Sequence, residues 1–306
     1  MDSKELTVVI VTFRSEAKIL DCLNSIGKFA EIIVVENSNN NDFKKKLENK
    51  FSNLKCILTG KNLGYAVANN IGLRNVKTKY ALVLNPDTIL DENAIQRFLK
   101  SAKKQEDFWL MGPASDQMVE LEFGANDLIE VNNLKGFAIF FNLSKFNNEF
   151  FDESYFLYFE EIDLCKKVKN KNGKIYLDRF IKINHDGSTS VSNLNKFELE
   201  KNRNWHWMWS TFYYHKKYKG FFLAFIIIFP KFLSAFAKTI IYSILFSKNK
   251  RDIYFCRLSG ILNSIVGNKS WYRPSIDWFI LFKKIENKNA KKKNYISHRR
   301  GWFCRN

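Results

Sequence analysis

The stretch Tyr80–Asp91, YALVLNPDTILD, constrains the fold more tightly than any other part of this chain. Its alternating and β-branched apolar residues suit a buried strand. The strand must stop at Asn85-Pro86, because proline withholds a ladder donor and disfavours a helix. Asp87 is thereby left at the strand's carboxyl end, which is where open α/β sheets receive ligands. A carboxylate there, with no internal partner, can hold a divalent cation against a diphosphate. Taken alone, Asn-Pro-Asp-Thr also fits an ordinary turn before a helix starting near Asp91, so the neighbouring segments have to decide.

Those neighbours repeat the pattern. Leu6–Phe13 (LTVVIVTF) is apolar on both faces, as a central parallel strand is. Glu16–Lys28 has helical spacing, Glu31–Val35 is a second strand, and Leu54–Leu58 a third. Between them lie a polar loop from Glu36 to Asp42 with a Lys-rich helix, and a Gly60–Asn70 loop running into another helix. This alternation predicts βαβ units and a parallel sheet. Three polar strand ends, Thr12–Arg14, Glu36–Ser38 and Asn85–Asp87, then open on one edge, where a nucleotide can lie. Neither a dinucleotide-binding glycine fingerprint nor a P-loop is present, and Gly60 with Gly64 by itself signals a turn.

Further on, a helix is expected over Asp91–Lys104, with strands at Phe108–Pro113 and Gly136–Phe141. Phe151–Lys167, FDESYFLYFEEIDLCKK, leads aromatic residues into Glu160-Glu161-Ile162-Asp163 at a helix start. Acids in a first turn are favoured by the helix dipole alone. If one of them faces a cleft, the aromatics exclude water and it becomes a proton acceptor. His185, followed by Asp186-Gly187-Ser188-Thr189-Ser190, is either a surface histidine or a metal ligand beside phosphate donors.

The chain has 306 residues, enough for one large domain or two smaller ones, and its 46% hydrophobic content excludes wholesale disorder. Its net charge of +18 implies an anionic partner. Five cysteines are scattered without metal spacing, which fits a reducing compartment. The N-terminus carries no secretory pattern, so the body is expected in the cytoplasm. From Asn202 the composition turns aromatic and basic, and then strongly apolar over Gly220–Phe246. That segment is long enough to span a bilayer, but Pro230, Lys231 and Lys238 interrupt it. An interfacial, Pro-broken helix pair with snorkelling lysines is the preferred reading, beside a buried hairpin and a true span. A helix over Ile253–Gly267 and a basic tail, Lys283–Asn306, follow, and the tail suits an anionic membrane surface.

In this order, VVIVTFRSE, IIVVENSNNND, NLGYAVANNIGL, YALVLNPDT, GFAIFF, FDESYFLYFEEIDLCKK and INHDGSTS resemble the family 2 glycosyltransferases, in particular their bacterial rhamnosyltransferase-like branch. The resemblance implies an α/β GT-A fold, a Rossmann-like and mostly parallel sheet, over residues 1–200. A C-terminal helical, basic, membrane-surface region over 201–306 completes the expected organisation. It implies an inverting transfer from a nucleotide-sugar donor, dTDP-rhamnose first, to a hydroxyl of a glycan or lipid-linked acceptor in surface polysaccharide synthesis. Carried over by position, Thr12 and Glu36 touch the nucleotide, while Asn62, Gly64 and Asn70 shape its pocket. Asp87 matches the last acid of the family's D-x-D motif, with Asn85 in place of the first. Asp87 and His185 hold a divalent metal, Mn2+ or Mg2+. Glu161 takes the place of the catalytic base, with Asp163 as its rival one half-turn on. The expected location is the inner face of the plasma membrane, as a peripheral protein. A nucleotidyltransferase and a non-catalytic nucleic-acid-binding protein are the other classes weighed. The aromatics cluster in apolar runs rather than alternating with Arg and Lys, which argues against a polynucleotide partner.

Overall fold

Strand β1 (Leu6–Thr12) is buried along almost its whole length, and its alternate residues serve two separate cores. Val8 and Ile10 pack with Leu23, Phe98 and Phe140, whereas Val9 packs with Leu73, Phe141 and Leu164 on the other face. Apolar side chains on both faces of one strand require cover on both sides of the sheet. The computed structural model, which describes residues 5–114, 127–185 and 196–273, supplies that cover with helices.

Parallel to β1 on one side runs β2 (Glu31–Glu36), with β3 (Leu54–Leu58) beyond it, and on the other side runs β4 (Tyr80–Leu84). Their crossovers are α1 (Ile19–Ile26), α2 (Asn41–Lys50) and α3 (Tyr65–Arg74). α1 is shorter than its periodicity suggested, because Gly27 takes a φ of 60° and closes the helix through its N–H to Leu23. A short strand β5 (Thr88–Leu90) precedes α4 (Ala94–Lys104), which starts three residues later than expected. The delay has a cause: the Asp91 N–H is tied to the Lys182 carbonyl.

The second half of the sheet is mixed rather than parallel. β6 (Phe108–Pro113), β7 (Leu128–Glu130), β8 (Ala138–Asn142) and β9 (Lys174–Asp178) complete an eight-stranded order β3-β2-β1-β4-β8-β6-β9-β7. β8 is antiparallel to both β4 and β6 and β7 to β9, while the other four pairings are parallel, so the sheet is mostly parallel with its antiparallel pairings confined to this half. Tyr80, Phe98, Phe108 and Phe140 stack on one another at this junction, with centroids 4.9 to 5.9 Å apart. A separate pair joins β5 to β10 (Ile183–His185) with His185 opposite Thr88. α5 (Glu160–Asn170) lies between β8 and β9 in the chain.

The C-terminal helices are α6 (Lys196–Ile244) and α7 (Lys248–Ile265). The expected break at Pro230 does not occur. Pro230 sits inside a continuous helix, and the backbone leaves helical geometry at Gly220 instead, with φ 81° and ψ 167°. Only a residue without Cβ adopts that conformation readily. Met208 and Phe212, before the break, pack on Ala224 and Ile228, after it, and on Ile261 of α7. A Cβ at Gly260 would fall 2.3 Å from the Trp205 carbonyl oxygen, so α6 and α7 meet at backbone distance. The opposite face of the second half is bare, with Phe222 74% and Ile244 69% exposed. The Asp186–Ser190 stretch and the basic tail Lys283–Asn306 lie outside the described residues.

Candidate active site

Asp87 ends up where the strand-breaking Pro86 implied, in a corner just past β4. The Thr88 N–H and hydroxyl both donate to the Asn85 carbonyl and close the turn. Pairing of β10 with β5 brings His185 alongside, its Nε2 3.4 Å from Asp87 Oδ1. Phe137 lies flat on the imidazole, with centroids 4.7 Å apart. Asp87 Oδ1 is buried and accepts no hydrogen bond. A buried carboxylate oxygen without a donor, facing an imidazole nitrogen, is a donor set that fits a divalent cation. It offers two protein ligands; among the described residues no group of three or more His, Cys, Asp or Glu could hold a metal. Two ligands suffice for an ion that keeps waters or takes phosphate oxygens.

The polar ends of β1 and β2 are organised differently from expectation. Thr12 is fully buried and donates its hydroxyl to Glu36, which also accepts from the Ser38 hydroxyl. Burial raises the Glu36 pKa, against the effect of those two hydroxyls. Both residues lie beneath the cleft, whose lining includes their neighbours Val11, Phe13 and Asn37. Asn70 is likewise structural: its side chain accepts from the Phe151 N–H and donates to the Phe151 carbonyl. These three placements share one cause, since successive strand residues and opposite helix faces point different ways.

Asn37 is the residue that sequence reasoning passed over. Its amide donates to Asn62 and to the Gly64 carbonyl and accepts from the Leu63 N–H, fastening the loop before α3. Asn62 and Gly64 do line the cleft. Gly64 has φ 87°, and a Cβ there would meet the Phe156 carbonyl oxygen at 2.6 Å. The next N–H, of Tyr65, donates to that same carbonyl at 2.9 Å. The loop at the sheet edge is thus clamped to the segment preceding α5.

That segment holds Tyr158 and Phe159 in left-handed conformations, with φ of 70° and 73°. Such backbone is costly for aromatic residues and persists only under surrounding packing. Trp207 packs on both rings and Tyr214 on Phe159, all from α6. The payoff is the aim of Glu160 and Glu161 into the cleft. Glu160 is 5% exposed and its Oε2 finds no hydrogen-bond partner. Burial pushes its pKa well up, and the charge of Glu161 pushes it further. Glu161, lying against Gly136, is also raised by burial, partly offset by backbone N–H donors. Tyr65 donates to the Gly136 carbonyl at 2.7 Å and so braces the loop that Glu161 rests on.

Asp163 is not in the cleft. Its carboxylate is fully buried on the far side of α5, where Lys217 donates to both oxygens at 2.8 and 2.9 Å and Tyr155 to one at 3.3 Å. Lys217 also binds Asp152 at 2.7 Å. A half-turn separates Glu161 from Asp163, and that rotation sends the latter to α6 instead of into the cleft. Asn85, Asp87, His185, Asn62, Gly64, Glu160 and Glu161 therefore share one cleft of about 1390 Å3. Lys135, Arg179, Lys182 and Arg203 also line it and set positive charge opposite its three acids, Asp87, Glu160 and Glu161. In a lysine-rich sequence, no spacing singles those four out.

Comparison with known proteins bears on this arrangement. The profile of the Glycosyl transferase family 2 matches residues 7–165. A curated relative, the low-salt glycan biosynthesis hexosyltransferase Agl10 of Haloferax volcanii, is 24% identical over 195 residues. That match covers 55% of this chain and spans 62% of the relative's length. Among solved structures, the mannosyltransferase PcManGT from Pyrobaculum calidifontis, in complex with GDP-Man and Mn2+, superposes with TM-score 0.53 and 10% identity. The match covers 85% of this chain and 87% of that one. GalNAc-T7 with UDP, GalNAc and Mn2+ gives TM-score 0.51 and 14% identity over 61% of this chain and 46% of its own. The fold is that of the GT-A glycosyltransferases, extended by a long apolar C-terminal helix.

Proposed function

This chain belongs to the Glycosyl transferase family 2, and on that premise we propose that it is an inverting, metal-assisted enzyme with Glu161 as base. The donor is a nucleotide diphosphate sugar, dTDP-rhamnose being the first to test, and the acceptor a hydroxyl of a glycan or lipid-linked saccharide. One observation carries the reading. Asp87 with His185, and Glu160 with Glu161, line the same cleft.

The chemistry follows from what these side chains can do. Asp87 and His185 would hold a divalent cation, Mn2+ or Mg2+, which would supply positive charge against a diphosphate leaving group. Asn62, Asn37 and Gly64 hold the loop on the nucleotide side, and Lys182 and Arg203 add positive charge for an anionic donor. The acceptor hydroxyl is a weak nucleophile until a carboxylate takes its proton. Burial makes Glu161 a stronger base than a solvated glutamate once it is ionised. Glu160 lies deeper, and both burial and the Glu161 charge push its pKa well up, which disfavours a second negative charge in the pair. Phe156 and Tyr158 limit water at the reacting centre. One base and no covalent nucleophile give inversion at the anomeric carbon. Catalysis at the inner face of a membrane fits the bare apolar face of α6.

Glu161→Gln tests the assignment. It is expected to lower kcat by a factor on the order of 10²–10⁴ while donor affinity, read by calorimetry, stays within about twofold. A variant that turns over near the wild-type rate moves the base elsewhere. Chelation of the metal is expected to abolish transfer, with recovery on adding Mn2+ or Mg2+.

A further inference from the structure

On the other flank of α5 lies a second cavity, of about 520 Å3. α5 contributes Lys166 and Lys169 to it, α6 contributes His215, Tyr218 and Lys219, and Asn133 lines both this cavity and the catalytic cleft. Among the described residues no Asp or Glu lines it. Lys169 is paired with Glu130, but Lys166 and Lys219 have no ion-pair partner among the described residues. His215 Nδ1 is buried without a hydrogen-bond partner. Its pKa is lowered by burial and then by Lys219 and Lys231, as expected of an imidazole in a basic pocket. Two unpaired ammonium groups, Lys166 and Lys219, in one cavity suit an anion with several acceptor oxygens.

What adjoins the cavity narrows the class of anion. Lys219 is followed by Gly220 and then by the apolar half of α6. Phe221, Phe225, Phe229, Phe232 and Phe236 form a continuous ladder there, successive centroids 5.7 to 6.5 Å apart. Four of the five rings are 39% to 50% exposed. A basic cavity that shares Asn133 with the cleft, and whose Lys219 lies two residues before an apolar ladder in the chain, fits an amphiphile. Inorganic phosphate or a nucleotide would use the lysines and leave the ladder unused.

We propose that this cavity binds the phosphate or diphosphate of a lipid-linked acceptor. Its hydrocarbon lies along the phenylalanine ladder, and its saccharide reaches past Asn133 to Glu161. The assignment rests on the transferase reading above and adds to it the class of the acceptor and the residues that hold it.

The test measures binding of farnesyl diphosphate, farnesol and inorganic pyrophosphate to the full chain. Lys166→Gln/Lys219→Gln is expected to weaken farnesyl diphosphate by about thirtyfold. Lys248→Gln/Lys250→Gln, which removes the same charge at the start of α7, is expected to change it less than about threefold. Phe225→Ser/Phe229→Ser is expected to weaken farnesyl diphosphate and leave pyrophosphate unaffected. Melting temperatures accompany each variant, and single substitutions replace a double one that unfolds. Equal losses in the two lysine pairs overturn the proposal, as does farnesol binding as tightly as its diphosphate. Pyrophosphate binding as tightly as farnesyl diphosphate overturns the lipid assignment in favour of a free-phosphate site. Nucleotide diphosphate binding by the wild-type chain is the separate arm: its absence sinks the transferase reading, whereas its presence with any overturning result above sinks only the acceptor site.

Discussion

Glu160 takes a carboxyl oxygen into the interior with no donor to meet it, and this has a thermodynamic signature. Its folded pKa lies above the usual glutamate value, so the folded state holds a proton that the unfolded state releases. Stability from this group is full below the unfolded pKa and is lost as pH rises toward the folded one. Glu160→Gln removes that loss. Its melting temperature is expected to exceed the wild type at pH 8 and to match it near pH 4; a pH-independent difference would refute the account. Asp163 is the contrasting case, an acid kept for structure. Asp163→Asn is expected to cost about 1–3 kcal/mol by urea unfolding, because Lys217 loses its buried partner. The folded fraction should keep its kcat, whereas a catalytic Asp163 would lose it.

At the scale of elements, the site is an agreement between α3, α5 and α6. The Gly64 turn at the start of α3 touches the Phe156 backbone, and the same segment leads through two left-handed residues into α5. Gly64→Ala imposes both an unfavourable φ and a clash, and is expected to destabilise by about 2–4 kcal/mol. Donor binding should fall with it, since Asn62 is held through the same turn. Chemical unfolding with and without nucleotide checks both, and an unchanged midpoint would mean that the clamp is not rigid. α6 supports α5 from behind, through Trp207 on the left-handed pair and through Lys217 on Asp163.

The whole molecule presents a cleft beside a bare apolar helix, and the proposed membrane docking is tested on that helix. Phe222, Ile226 and Phe229 are among the exposed residues of α6. Replacing all three with serine is expected to lower affinity for anionic vesicles by about two orders of magnitude in flotation. Retained binding would mean that another part of the chain makes the contact. Added salt should weaken the wild type, because lysines contribute at the surface.

Much of this was legible from residue order. β1, β2 and β4 announce themselves because two-sided burial demands unbroken apolar runs, and Pro86 marks where the sheet edge must expose Asp87. The Glu160-Glu161 pair and the family it belongs to are equally local in their signal. Tertiary structure decided the direction in which each polar residue faces. Asn37 reaches the cleft while Thr12, Glu36 and Asn70 turn inward, and Glu161 lines the cleft while Asp163 faces α6. It also brought Lys166 and Lys219 to one cavity across some fifty residues, and bent α6 at Gly220 rather than Pro230. Local propensity reaches only a few residues along the chain, whereas facing and juxtaposition depend on what packs against each element after it has formed.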